Sequence, residues 1–169
     1  MRLIYPYLKL GAIDFLEVTD IPCPIAIAET YFYKKSTTKD GKQTKKVLIT
    51  CVAINPIMSQ IIAKVAMIMD CYFVEENDSM RAMALLLDCK PDLIFLDLGL
   101  PDLSSYELCT ELRKLNYFKK TPIVLIGRNI GLIERMKAKM SGASELLEQS
   151  MDIQSLLDLV QKYIKLSPQ

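Results

Sequence analysis

The chain contains no histidine at all, which excludes His-based general acid/base catalysis, phosphohistidine chemistry and most zinc sites. Its 5 cysteines, at positions 23, 51, 71, 89 and 109, are odd in number, lack CxxC spacing and fall in apparent strands and helices. They read as reduced packing residues rather than a disulfide framework. Charge of one sign is also missing: Lys+Arg 21 against Asp+Glu 20 gives a net charge of +1, so no general attraction to nucleic acid is implied. No apolar run reaches membrane-spanning length, and the opening MRLIYPYLK has neither a long apolar core nor a small-residue cleavage site. A cytoplasmic location away from membrane is the expectation. What is present is a chain of 169 residues, 51% of them hydrophobic, enough for one domain with a real core plus an extension.

From Lys46 onward, strand and helix signals alternate. VLITCV, CYFVE, DLIFLDL, PIVLI and SELL begin near positions 47, 71, 92, 122 and 144, each followed by a stretch of helical period. That spacing predicts repeated βαβ units and a parallel sheet. Asn55-Pro56 reads as an N-cap followed by proline at the first helical position. Ser104-Ser105-Tyr106-Glu107 has the pattern of a capping box, and Gly142 sits at a helix end. Four apolar stripes are expected to face the core: Ile57, Ile61, Val65 and Ile68; Leu108, Leu112 and Leu115; Leu132, Ile133, Met136 and Met140; and Ile153, Leu156, Leu157, Val160 and Ile164.

The segment 1–33 suggests a short helix, a stop at Gly11 and one strand, too little to bury its own apolar residues, so docking on the rest of the chain or on a second copy is expected. KKSTTKDGKQTKK, positions 34–46, has 6 lysines, one acid and no apolar residue, and reads as a solvated linker rather than a phosphate- or lipid-binding patch. The remainder, 47–166, is the α/β part.

PDLIFLDLGLPDLSSYELCTELRK, with Asp97 ending the third strand and Pro101 four residues later, resembles the phosphoacceptor region of response-regulator receiver domains. TPIVLIGRN and KAKMSGASELLEQSMD continue the likeness, which runs from about Lys45 to Leu166. The resemblance implies a (βα)5 flavodoxin-like, doubly wound parallel sheet of order 2-1-3-4-5, preceded here by a short N-terminal extension. The wording at positions 117–122 and 135–139 is similar to cyanobacterial PatA-type regulators, and residues 7–13 with 18–22 are similar to the end of the N-terminal domain of that group.

The departures from the family pattern bear on function. Receivers end the first strand in two acids that help hold Mg²⁺ beside the phosphoacceptor; Ala53 and Ile54 stand there. The switch hydroxyl after the fourth strand falls on Gly127, and the lysine that contacts the phosphoryl group falls on Gln149. The following proline is Ser150, the aromatic switch position is Leu146, and the glycine after the phosphoacceptor is Ser105. Phosphoryl transfer to a carboxylate crowds negative charges, which a cation and positioned donors must neutralise. Asp97 without them points to a pseudo-receiver: a non-enzymatic module of two-component-type signalling that binds a protein partner, a signalling protein or a second copy, without phosphorylation. No cofactor is expected, and Mg²⁺ is expected to bind weakly or not at all. The alternative is a working receiver phosphorylated on Asp97 in a phosphorelay. A flavin-binding flavodoxin relative would need a phosphate-cradling first loop, which VAINP lacks. Nothing like a DNA-binding domain follows the last helical stretch, which ends in KLSPQ, so output through protein contacts is expected.

Overall fold

Runs rich in Ile, Val, Leu and Phe favour strands buried on both faces, and the sheet is built from such runs. The computed structural model describes residues 47–166. Five strands, β1 (Leu48–Val52), β2 (Tyr72–Glu76), β3 (Leu93–Asp97), β4 (Ile123–Gly127) and β5 (Glu145–Glu148), pair in parallel in the order β2-β1-β3-β4-β5. Helices α1 (Pro56–Ile68), α2 (Ser79–Cys89), α3 (Ser105–Lys114), α4 (Leu132–Met140) and α5 (Ile153–Leu166) connect or follow them, with a 3₁₀ turn at Asn116–Lys119. This is the predicted (βα)5 flavodoxin-like fold, and each strand starts one residue after the apolar run that announced it. The expected N-terminal extension, its linker and Cys23 lie outside the described residues.

The three inner strands are buried along their whole length. Alternate residues of those strands feed two cores. Ile49, Cys51, Leu93, Phe95, Val124 and Ile126 pack beneath α1 and α5, while Val52, Ile94, Leu96, Ile123 and Leu125 pack beneath α2, α3 and α4. Asn55 caps α1 as expected, its side-chain oxygen accepting from the Ile57 amide at 3.0 Å, with Pro56 at the first helical position. Gly142 closes α4 with φ +81°, a left-handed conformation that favours glycine.

Two sequence expectations are corrected. The Ser104 side chain makes no capping bond, so the capping box does not form; Ser105 instead turns inward. The stripes of α1 and α4 do not point wholly at the core. α1 buries Met58, Ser59, Ile62, Val65 and Ala66 and leaves Ile57 and Ile68 exposed. α4 buries only Ala138 and exposes Leu132, Ile133, Met136 and Met140, because the small alanine is the residue that lets this helix approach the sheet. Leu115 and Ile153, at the ends of the other two stripes, are exposed as well, whereas Leu108, Leu112, Leu156 and Val160 are buried.

Candidate functional site

In a sheet of this order the chain steps from β1 outward to β2, then crosses back past β1 to β3 and on to β4 and β5, and the carboxyl ends of β1 and β3 form the crevice where such folds bind ligands. Asp97 is the last residue of β3 and only 6% exposed. Its Oδ1 accepts from the Gly99 amide at 2.9 Å, folding the carboxylate over its own loop. Its carbonyl accepts from the Ser105 hydroxyl and from the Leu100 amide at 3.3 Å. One turn on, Ser79 at the start of α2 donates to the Pro101 carbonyl at 2.6 Å. Asp97 is therefore held at the base of a loop pinned to both α2 and α3.

The neighbouring strand ends differently. Ala53 is 2% exposed, its amide donating to the Glu76 carbonyl at 3.0 Å, and Ile54 is 45% exposed. Neither side chain carries a polar atom. Below them on β1, the Cys51 thiol is pushed far up from its ordinary pKa, first by burial and then by the negative charges of Glu75 and Asp97. Burial and nearby negative charge thus both disfavour an anion at this inner surface.

At the third corner, Gly127 ends β4. A side chain there would meet Leu98, whose Cδ1 would stand 2.7 Å from an added Cβ, so a hydroxyl-bearing residue would have to displace the end of this leucine. The Gln149 amide donates to the Gly127 carbonyl at 2.9 Å, and its side-chain Oε1 accepts from Arg128 Nε at 2.8 Å. The pair Arg128–Gln149 is exposed and 21 residues apart in sequence. Leu146 lies half-buried against the core, and Ser150 is exposed. The fold thus brings Asp97 and Ala53 to the ends of adjacent strands, Ala53 just past β1, and Gly127 and Gln149 to the ends of the next pair, Gln149 just past β5. It engages Gln149 with Arg128, a partner that spacing could not reveal, and the anchoring by Ser79 and Ser105 likewise had no motif to announce it.

A divalent cation tests the donor set. Mg²⁺ requires near-octahedral oxygen coordination, usually with carboxylates. Asp97 is the one carboxylate that ends β1 or β3 among the described residues; Glu75 lies across β1, paired with Cys51 and level with Phe95, and the buried Glu76 that ends β2 spends its Oε1 on the Asn77 and Asp78 amides at 3.0 and 3.1 Å. No group of three or more His, Cys, Asp or Glu residues placed to hold a metal occurs among the described residues. The residues present do not fit the ion.

A five-stranded, doubly wound sheet with an aspartate at the end of β3 is a fold that serves several functions, and comparison with known proteins identifies the family. Residues 49–161 match the family model of the response regulator receiver domain, and the chain belongs to that family. Protein PilG of Pseudomonas aeruginosa is 26% identical over 94 residues, 56% of this chain and 70% of that protein. The response regulator ArlR of Staphylococcus aureus is 31% identical over 78 residues, 46% of this chain but only 34% of ArlR. Among solved structures, the BeF3-activated N-terminal receiver domain of Klebsiella pneumoniae RstA superposes with TM-score 0.64 at 26% identity, covering 70% of this chain and 98% of that one. The receiver domain of a Pseudomonas aeruginosa sensor histidine kinase, with a magnesium ion coordinated in its active-site cleft, superposes with TM-score 0.65 at 21% identity, covering 72% and 99%. Among the described residues no helix is long and apolar enough to cross a membrane.

Proposed function

We propose that this receiver domain is a pseudo-receiver, a phosphorylation-independent protein-interaction module in two-component-type signalling. The observation that carries the reading is the apolar pair Ala53–Ile54 directly after β1, beside the strand that ends in Asp97. Leucine packing over Gly127 and the neutral Gln149 support it, because each stands where the family places a donor to the phosphoryl group. The retained Asp97 has a local role without chemistry, accepting from Gly99. On this reading the module is not an enzyme, holds no cofactor, binds Mg²⁺ weakly or not at all, and works in the cytoplasm away from nucleic acid and membrane. The PatA-type likeness is part of the same proposal.

The partner surface is assigned to α4, β5 and α5. Leu132, Ile133, Met136 and Met140 form an exposed apolar face on α4, flanked by Arg135, Lys137 and Lys139. Apolar anchors within a charged rim suit a soluble protein partner. Beside it, Glu145 on β5 is tied to α5 by Lys162 at 2.5 Å and the Tyr163 hydroxyl at 3.1 Å.

A second reading, a working receiver phosphorylated on Asp97, is favoured by the intact β3–α3 loop. Incubation with a labelled small phosphodonor and Mg²⁺ separates the two. The pseudo-receiver takes up no label; uptake that Asp97→Asn abolishes would establish the second reading.

A further inference from the structure

We infer that the outer face of α1 is the docking site of this chain's own residues 1–33. α1, PIMSQIIAKVAMI, has Lys64 as its single charged residue, and a helix apolar nearly all round is normally covered on every side. Its inner face meets the sheet and α5, but Ile57 is 67% and Ile68 61% exposed, with Met67 beside Ile68 also exposed and Ile61 half-buried between them. Ile54 continues the stripe past the helix start.

The occupant follows from where the chain leads. Val47 packs in the same cluster as Ile61 and Ala63 of α1 and Met69 just past it, and its carbonyl accepts from the Tyr72 amide at 2.8 Å, four residues after the helix ends, so the polypeptide meets the domain beside the C-terminal end of this helix. Positions 34–46 carry no apolar residue, and a flexible chain of that length would span roughly 20 Å, about the length of α1 itself. Such a short tether holds the segment near its site at an effective concentration of about millimolar, ahead of a second copy at micromolar concentration. Residues 1–33 carry Ile4, Tyr7, Leu10, Phe15 and Leu16, and their acids outnumber their bases, which suits a face whose one charge is Lys64. The α4 face differs in carrying three basic residues around its apolar ones, as a surface left for a separate partner does. This inference goes beyond the pseudo-receiver reading and stands whether or not Asp97 is phosphorylated.

Hydrogen exchange on the full chain tests it, comparing the unmodified protein with Ile57→Lys/Ile68→Lys on α1 and Ile133→Lys/Met140→Lys on α4. Amides in 1–33 should be protected in the unmodified protein, and that protection should fall at least tenfold in the α1 variant. It should persist in the α4 variant and on hundredfold dilution, with β3 protected throughout. No protection in 1–33, survival in the α1 variant, loss in the α4 variant, or loss on dilution, which would mean a second copy, overturns the inference. If the α1 variant also loses β3 protection, a short bis-maleimide applied to Lys64→Cys and Lys139→Cys chains decides, since Cys51, Cys71, Cys89 and Cys109 are buried. An intrachain link from Cys23 to position 64 and not to 139 supports docking on α1; equal linking, or linking to 139 alone, overturns it.

Discussion

The loop after β3 and the turn after β1 leave the sheet side by side, yet they are held by opposite means. Around Asp97, a carboxylate, two serine hydroxyls and several backbone amides form a closed set of hydrogen bonds. Around Ala53 and Ile54 the side chains supply only apolar contact, and the hydrogen bonding is left to the backbone and to Asn55. The difference separates what the scaffold needs from what the chemistry needs. Asp97 ends a strand and accepts from the Gly99 amide of its own loop, so the fold has a use for it apart from any phosphoryl chemistry. An acid at the buried position 53 would hold nothing in place and, without a cation, would add a second negative charge near the end of β3, whereas one at the exposed position 54 would stay hydrated.

The comparison breaks most visibly on placing charge where the turn has none. Ala53→Asp, in the absence of divalent cations, should cost about 3 kcal/mol, because a buried carboxylate without a partner faces a second one. Chemical denaturation would measure it. An unchanged midpoint would mean that the site is wetter than its burial indicates.

The polarity beneath the turn can be read from Cys51, whose pKa is raised by burial, Glu75 and Asp97, with Cys109 raised chiefly by burial. An acid whose folded pKa exceeds its unfolded one keeps its full stabilising contribution below the unfolded value and loses it as pH climbs further. Stability should therefore decline above about pH 8.5, by up to about 1.4 kcal/mol per pH unit for each thiol. Cys51→Ala should flatten the decline; an unchanged slope would show that Cys51 titrates normally.

On the other side of the crevice, Ser105→Ala should cost about 1 kcal/mol by removing one of two donors to the Asp97 carbonyl, and should loosen exchange of the Gly99 and Leu100 amides. Smallest of all, Ile54→Asp should change stability by less than about 0.5 kcal/mol, since Ile54 is 45% exposed and its carboxylate replacement would stay hydrated. A large loss there would place Ile54 in a contact that residues 47–166 do not make, such as the cover of α1.

Much of this was legible in the amino-acid order. Strands were readable because inner parallel strands must be apolar on both faces, and the α1 start because Asn55-Pro56 states cap and first turn in two residues. Apolar period marks a face of a helix but not its occupant: Leu132, Ile133, Met136 and Met140 share a side of α4, and the sheet took Ala138 instead. Ser104 and Glu107 had capping-box spacing, but the neighbouring Ser105 was drawn to the Asp97 carbonyl, a partner eight residues away. The substituted positions 53, 54, 127 and 149 were visible only against the family pattern. The packing of Leu98 over Gly127 and the bond from Arg128 to Gln149 are long-range facts that no local spacing encodes.

The central claim is the proposal that the crevice binds no divalent cation, and thermal unfolding with and without millimolar Mg²⁺ addresses it most directly. The unmodified protein should unfold at the same temperature in both, while Ala53→Asp/Ile54→Asp should gain stability with the ion. A ligand at about 100 times its dissociation constant contributes roughly 2.7 kcal/mol, a rise of about 10 °C for a domain of this size. Stabilisation of the unmodified protein by micromolar Mg²⁺ would contradict the account.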